Sequence, residues 1–196
     1  MNKTVLLAIL TAFSLTSGAQ SPYTDSLNQY IKNYREKHEV VKGNDRTKLD
    51  FFPVDSTYRV VATFEKKENS PWFLMPTSGP RKQMYRVYGV IRFAVNGATA
   101  QLNIYQSQDL LQNATYQNYL FLPFTDGTSG KESYQGGRYL DLTTEDIRGN
   151  QMTIDFNKAY NPYCAYVSGK YNCPIPPKEN HLSAAIKAGE KAFHQE

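Results

Sequence analysis

Cysteine is scarce in this 196-residue chain, with 2 residues, Cys164 and Cys173. That excludes a disulfide-dense mini-protein. Histidine is almost as rare, with 3 residues. A nucleophilic cysteine needs such a base, and His38 and His194 fall in segments that read as peripheral helices. The cysteines match no standard zinc spacing, and only Asp155, Glu179 and His181 lie near them as further ligands. We therefore expect no metal, no cofactor and no cysteine hydrolase. Beyond position 20 no apolar run approaches the roughly 18 residues of a membrane span, which excludes a polytopic membrane protein. The balance of 22 basic and 18 acidic residues is nearly even and unclustered. A nucleic-acid binder usually shows a basic face, so none is expected as a partner. There is no Walker loop and no Gly-x-Ser-x-Gly elbow.

What is present is aromatic: 15 Tyr and 10 Phe. The first segment reads as an address. Lys3 precedes a short apolar stretch from Val5 to Leu15, and Ser17-Gly18-Ala19 supplies small residues for a signal peptidase. We expect residues 1–19 to be cleaved, leaving residues 20–196 as one exported domain, periplasmic or extracellular.

Ser21-Pro22, with Asp25 close behind, is a helix-start signal. Leu27, Tyr30, Ile31 and Tyr34 then recur at helical spacing. The spacing predicts a helix ending near Gly43, a good C-terminal cap. From Tyr58 the period becomes two. Tyr58, Val60, Ala62 and Phe64 share one strand face, and Trp72 to Met75 makes a short strand before Pro76. Tyr85 to Val95 and Ala98 to Ile104 alternate on either side of Asn96-Gly97, the strongest short hairpin signal. A two-residue loop pairs Val95 with Ala98, Phe93 with Ala100, Ile91 with Leu102, and Gly89 with Ile104. That register places every apolar member on one face. Tyr119 to Phe124, Arg138 to Leu142 and Gln151 to Phe156 complete the strands. Leu182, Ala185, Ile186, Gly189 and Phe193 fall at helical spacing, with Asn180 as the expected cap. The expected fold is mainly β: an antiparallel barrel or sandwich of roughly 7–9 strands, with an N-terminal and a C-terminal α-helix packed on it.

Two stretches lack periodicity. Phe124 to Tyr139 combines four glycines with acids, hydroxyls and bases. Glycine lets backbone N–H groups approach a ligand, and Arg138 is suited to a bidentate grip on a carboxylate or phosphate. The structural alternative is a turn-rich loop with Arg138 paired to Asp126, Glu132 or Asp141. Asp155 to Tyr166, continuing to Asn180, is rich in Tyr, Asn and Pro and carries both cysteines. In an exported chain the pair suggests one disulfide, worth about 2.7 kcal/mol in the chain-entropy description.

Asp50 to Asp55, Phe124 to Gly130, Gly137 to Leu142, Asp155 to Tyr166 and Cys173 to Asn180 together resemble the signatures of the domain of unknown function family 1684. The resemblance spans nearly the whole chain after the leader. Lys158, Tyr163 and His181 depart from the family pattern, which carries Arg, Pro and Arg there. The resemblance implies no established activity. It extends to chains with both cysteines but no export signal, which gives weight to a thiol or structural-contact role beside the disulfide.

The leading expectation is a monomeric domain that binds a small polar or anionic ligand. Asp126, Thr128, Glu132, Tyr134, Arg138 and Tyr139 would line the site, with Asn157, Tyr160 and Asn161 beside them. Arg138 would hold the ligand, and its loss would spare the fold. One alternative is a hydrolase using Asp126 or Glu132 as acid or base. Another is a structural module with Arg138 and Asp155 buried in pairs.

Overall fold

A computed structural model describes residues 21–193. The expected leader at residues 1–19 and His194 lie outside the described residues. Helix α1 (Pro22–Lys37) begins as its sequence signals. The Ser21 side chain accepts from the Thr24 N–H, and Leu27 and Ile31 are buried. It stops before Gly43. The His38 ring Nδ1 accepts from the Val41 N–H at 2.9 Å, and Lys42 and Arg46 donate to the His38 carbonyl. The chain turns there, and Gly43 instead opens a 3-10 turn, Gly43–Lys48.

The strands are β1 (Arg59–Lys66), β2 (Phe73–Met75), β3 (Gln83–Val95), β4 (Ala98–Ser107), β5 (Tyr119–Phe124), β6 (Arg138–Thr143), β7 (Ile147–Arg148) and β8 (Gln151–Asp155). A single helical turn, α2 (Gln108–Leu111), follows β4. All pairings are antiparallel, in the order β6-β5-β4-β3-β1-β8-β7, with β2 added to β3. The strand count and antiparallel class agree with the sequence reading. The β3–β4 register is the expected one at all four pairs. Asn96 and Gly97 both take positive φ, as the two-residue turn requires.

The sheet is open, which corrects the expected barrel. Strand β7 has two residues and offers little edge to pair. The edge of β6 is already occupied: Tyr139 and Tyr160 exchange backbone hydrogen bonds at 2.9 and 3.0 Å. With Tyr139 taken by Tyr160 and the Thr143 amide by the Asp146 carboxylate, this edge pairs with no further strand.

The C-terminal helix is also corrected. Residues 181–193 contain no helix. Their backbone groups bond elsewhere instead of to one another. Leu182 N–H donates to Thr125, Glu190 N–H to Ala159, and Phe52 N–H to the Gly189 carbonyl. Gly189 has φ +78°, and a Cβ there would lie 2.6 Å from the Ala159 carbonyl oxygen. Neither fits a helix interior. The segment nevertheless buries Leu182, Ile186 and Ala188 against the sheet, completing a core with Ile91, Leu102, Leu122 and Ile154. Each fully buried Leu or Ile side chain of this kind contributes about 1.5–3 kcal/mol.

A register shift between Val87 and Gly89 bulges β3 at Tyr88. Beyond it, Tyr85, Tyr105, Phe121 and Tyr139 form a second cluster with Met75. Tyr105, Phe121 and Tyr139 alternate with Ile104, Leu120, Leu122 and Leu140 along their strands, so β4, β5 and β6 are buried on both faces. The second face leads to the site.

Candidate functional site

The glycine-rich stretch folds into a buried polar lock. Arg138 is 0% exposed. Its Nη2 donates to Asp126 Oδ2 and to the Ile186 carbonyl, each at 2.8 Å. Its Nη1 donates to the carbonyls of Ala188 and Glu190. Asp126 Oδ1 accepts from the Thr128 amide at 2.8 Å, the Thr128 hydroxyl at 2.6 Å and the Ile186 amide at 3.2 Å. Thr128 and Ser133 share a hydroxyl bond at 2.7 Å. Burial lowers the guanidinium's pKa, and the field of Asp126 opposes that. Gly137, at φ +85°, is required because a Cβ would meet the Phe124 carbonyl oxygen at 2.5 Å. These residues bond the protein itself, and Arg138 has no surface for a ligand.

The other expected site residues divide. Glu132 is exposed and pairs with Lys187 at 3.1 Å. Tyr134 is half-buried, its ring over Gly136. Asn157 is a clasp: it accepts from the Asp55 amide at 3.0 Å and donates to the Asp55 carbonyl at 2.8 Å and to Tyr23 at 3.1 Å. Asp155 accepts from the Tyr23 hydroxyl at 3.0–3.1 Å. The Asn161 amide donates to Glu190 at 2.8 Å, and its side chain to the Lys191 carbonyl at 2.7 Å. Asp126, Glu132, Asp141 and Asp155 thus have separate partners and form no acid–base pair. Among the described residues no group of three or more His, Cys, Asp or Glu is placed to hold a metal.

Tyr139 and Tyr160 do meet at a cleft of about 580 Å³. Tyr139 and Asp141 reach it as alternate residues of β6. Tyr30 and Tyr34 reach it from one face of α1, at the i,i+4 spacing. Tyr163, Tyr171 and Cys173 come from the irregular stretch, where Cys164 and Cys173 are disulfide-bonded. Lys37, His38 and Glu39 complete the α1 side. The rings interlock. Centroids of Tyr34 and Tyr160 are 6.5 Å apart, and Tyr139 meets Tyr160 edge-on at 5.9 Å. The Tyr139 hydroxyl donates to the Pro174 carbonyl.

Carboxylates organise the phenols. Tyr119 and Tyr160 both donate to Asp141 Oδ1 at 2.6 Å. Behind the wall, Glu190 is 0% exposed and accepts from Tyr34 at 3.0 Å and Tyr166 at 2.7–2.8 Å. Burial raises its pKa to about 7, against the lowering effect of these donors. Burial first, and the neighbouring acids second, hold Tyr34 and Tyr160 well above the ordinary phenol range. They remain neutral donors at physiological pH.

Asp141, Glu190 and His38 were not among the expected ligand-binding residues. Asp141 carried a faint signal, two positions from Tyr139 on one strand face. Glu190 carried none, because its burial depends on segments far apart in sequence.

The fold and cleft define an open antiparallel β domain with a tyrosine-walled recess beside a disulfide. The chain belongs to the family described as Protein of unknown function (DUF1684), whose pattern matches residues 45–191. It is similar to an uncharacterised protein from gene locus rrnAC0354 of Haloarcula marismortui, known from a solution NMR structure. The two are 32% identical, with 86% of this chain and 94% of that chain covered and a TM-score of 0.65. No curated protein matches.

Proposed function

We propose that this domain binds a small polar molecule in the tyrosine-walled cleft. The observation that carries the reading is a recess of about 580 Å³ whose walls combine aromatic faces with Asp141, a carboxylate oriented by two phenols. Small-molecule sites have this composition: mostly apolar or aromatic walls with a few placed polar groups. The reading keeps Tyr139 and Tyr160 from the expected site. It moves the anchor from Arg138, which is enclosed, to Asp141, which is exposed. The hydrolase alternative has no support in the geometry, since Asp126 is locked to Arg138 and Glu132 pairs on the surface. A thermal-shift screen of polar metabolites tests the reading. Compounds that stabilise the protein should lose about tenfold in affinity against Tyr30→Ala, which removes a half-buried wall. A screen without hits, or hits indifferent to Tyr30, would leave the cleft as packing.

Export belongs to the same proposal. The apolar segment after Lys3 supports it, and so does the Cys164–Cys173 bridge, since disulfides persist in oxidising compartments. Mass spectrometry of the natural protein should find Gln20 at its N-terminus; an intact Met1 on a cytoplasmic protein would refute export. Among the described residues no helix is long and apolar enough to cross a membrane.

A further inference from the structure

The cleft's charge and ring chemistry restrict what it accepts. Its lining acids are Glu39 and Asp141, and its lining base besides His38 is Lys37. Among the lining side chains the acids therefore outnumber the base. His38 is buried and held towards its neutral form, chiefly by desolvation. The two lining acids are also presented by phenols. Tyr163 donates to Glu39 at 2.7 Å, and Asp141 Oδ1 receives two hydroxyls. Asp141 Oδ2 receives no hydrogen bond from any described residue.

The rings add to this negative field. A tyrosine face carries negative potential and attracts an ammonium within about 6 Å of its centroid. Two lining rings already do so at the margins of the cleft: Lys158 Nζ is 5.7 Å from the Tyr30 ring and Lys170 Nζ 5.4 Å from the Tyr171 ring. Burial raises the Tyr30 and Tyr163 hydroxyls to about 12, and nearby carboxylates, including Asp141 for both, add to the rise.

An anion entering this recess meets the carboxylates of Glu39 and Asp141 beside Lys37, with Lys158 and Lys170 only at the margins, each already on a ring face. A neutral ligand that displaces water leaves the Asp141 charge answered only by the Tyr119 and Tyr160 hydroxyls on Oδ1. A cation answers both the carboxylate and the ring faces. We propose that the cleft takes an organic cation, an alkylammonium or methylated ammonium compound, seated against Asp141 among Tyr30, Tyr34, Tyr139 and Tyr160. The proposal rests on the cleft being the binding site and adds its ligand class.

The test compares choline and n-butylammonium with 3,3-dimethyl-1-butanol, the uncharged isostere of choline, and with glucose, acetate and phosphate. Titrations are followed by amide chemical shifts of the natural protein and of Asp141→Asn. The cations should move the amides of Tyr139, Asp141 and Tyr160, with at least tenfold higher affinity than the isostere. Asp141→Asn should lose at least tenfold for the cations and little for the isostere. The comparison of choline with its isostere needs only the natural protein, so it holds even where the variant folds poorly. If the neutral compounds or the anions bind the cleft as tightly, the cation class is overturned and the cleft reading stands. If no compound moves these amides, both are overturned. Cation shifts confined to other surfaces also overturn the proposal.

Discussion

Arg138 donates to three backbone carbonyls and one carboxylate while none of its surface reaches solvent. Its residue type alone suggested a ligand anchor, because a guanidinium grips external and internal oxygens equally well. What distinguishes the two roles is where the oxygens come from. Here they belong to Asp126 and to residues 186–190. Truncating the side chain leaves Asp126 buried without its counter-charge and strands three carbonyls, a loss of about 3–5 kcal/mol. Arg138→Ala should therefore unfold at much lower urea concentration or fail to fold. A variant of near-natural stability would contradict the lock. This reverses the expectation that the fold would survive its removal.

At the scale of elements, local chemistry and long-range pairing give different outcomes. The β3–β4 hairpin is legible because its information is local. Asn96-Gly97 sets the loop length, and the alternation on both arms admits one register. Helix α1 starts where Ser21 and Pro22 announce it, and it ends early because the His38 ring and the Lys42 and Arg46 side chains draw the chain into a turn. The segment after Asn180 shows how a helical spacing misleads. Its apolar residues are spaced to face one way, and they are buried. Yet its carbonyls serve Arg138, and its amides serve Ala159, Thr125 and Asp126. A backbone committed to such partners cannot also pair with itself. Asn180 likewise does not cap a helix. Its side chain bonds the backbones of Asn103 and Pro123 at 2.7–2.9 Å, fixing the segment to the sheet.

For the molecule as a whole, Glu190 joins the parts. It receives Tyr34 from α1, Tyr166 and Asn161 from the irregular stretch, and it feels the charge of Arg138 from β6. This coupling has a consequence for global stability. In the unfolded chain the carboxyl has its ordinary pKa of 4.5, and in the fold burial raises it to about 7. Below pH 4.5 both states hold the proton and the contribution is fully present. As pH rises from 4.5 to 7 the unfolded state loses its proton first, and the folded state becomes relatively less stable by about 3 kcal/mol. His38 acts in the opposite sense on acidification, since its folded pKa lies below 6.5. The difference between the natural protein and Glu190→Gln isolates the carboxylate. Urea unfolding from pH 4.5 to 8 should show that loss in the natural protein and not in the variant. Parallel profiles would show that Glu190 is not held in its protonated form.

The sequence by itself determined the period-two strands, the hairpin register, the start of α1 and the family. The first three rest on contacts or turn residues a few positions apart, and the family on motifs spread from Asp50 to Asn180. It also marked the non-periodic tyrosines as the place to look, and Tyr139, Tyr160, Tyr163 and Tyr171 do border the cleft. Tertiary structure decided the open sheet, the loss of the C-terminal helix, the enclosure of Arg138 and the exposure of Asp141. These depend on which segment covers which group, and in particular on whether residues 181–193 present their backbone to themselves or to Arg138. Residue types permit both. The choice falls to the arrangement that pairs the buried guanidinium with Asp126 and with the carbonyls of Ile186, Ala188 and Glu190.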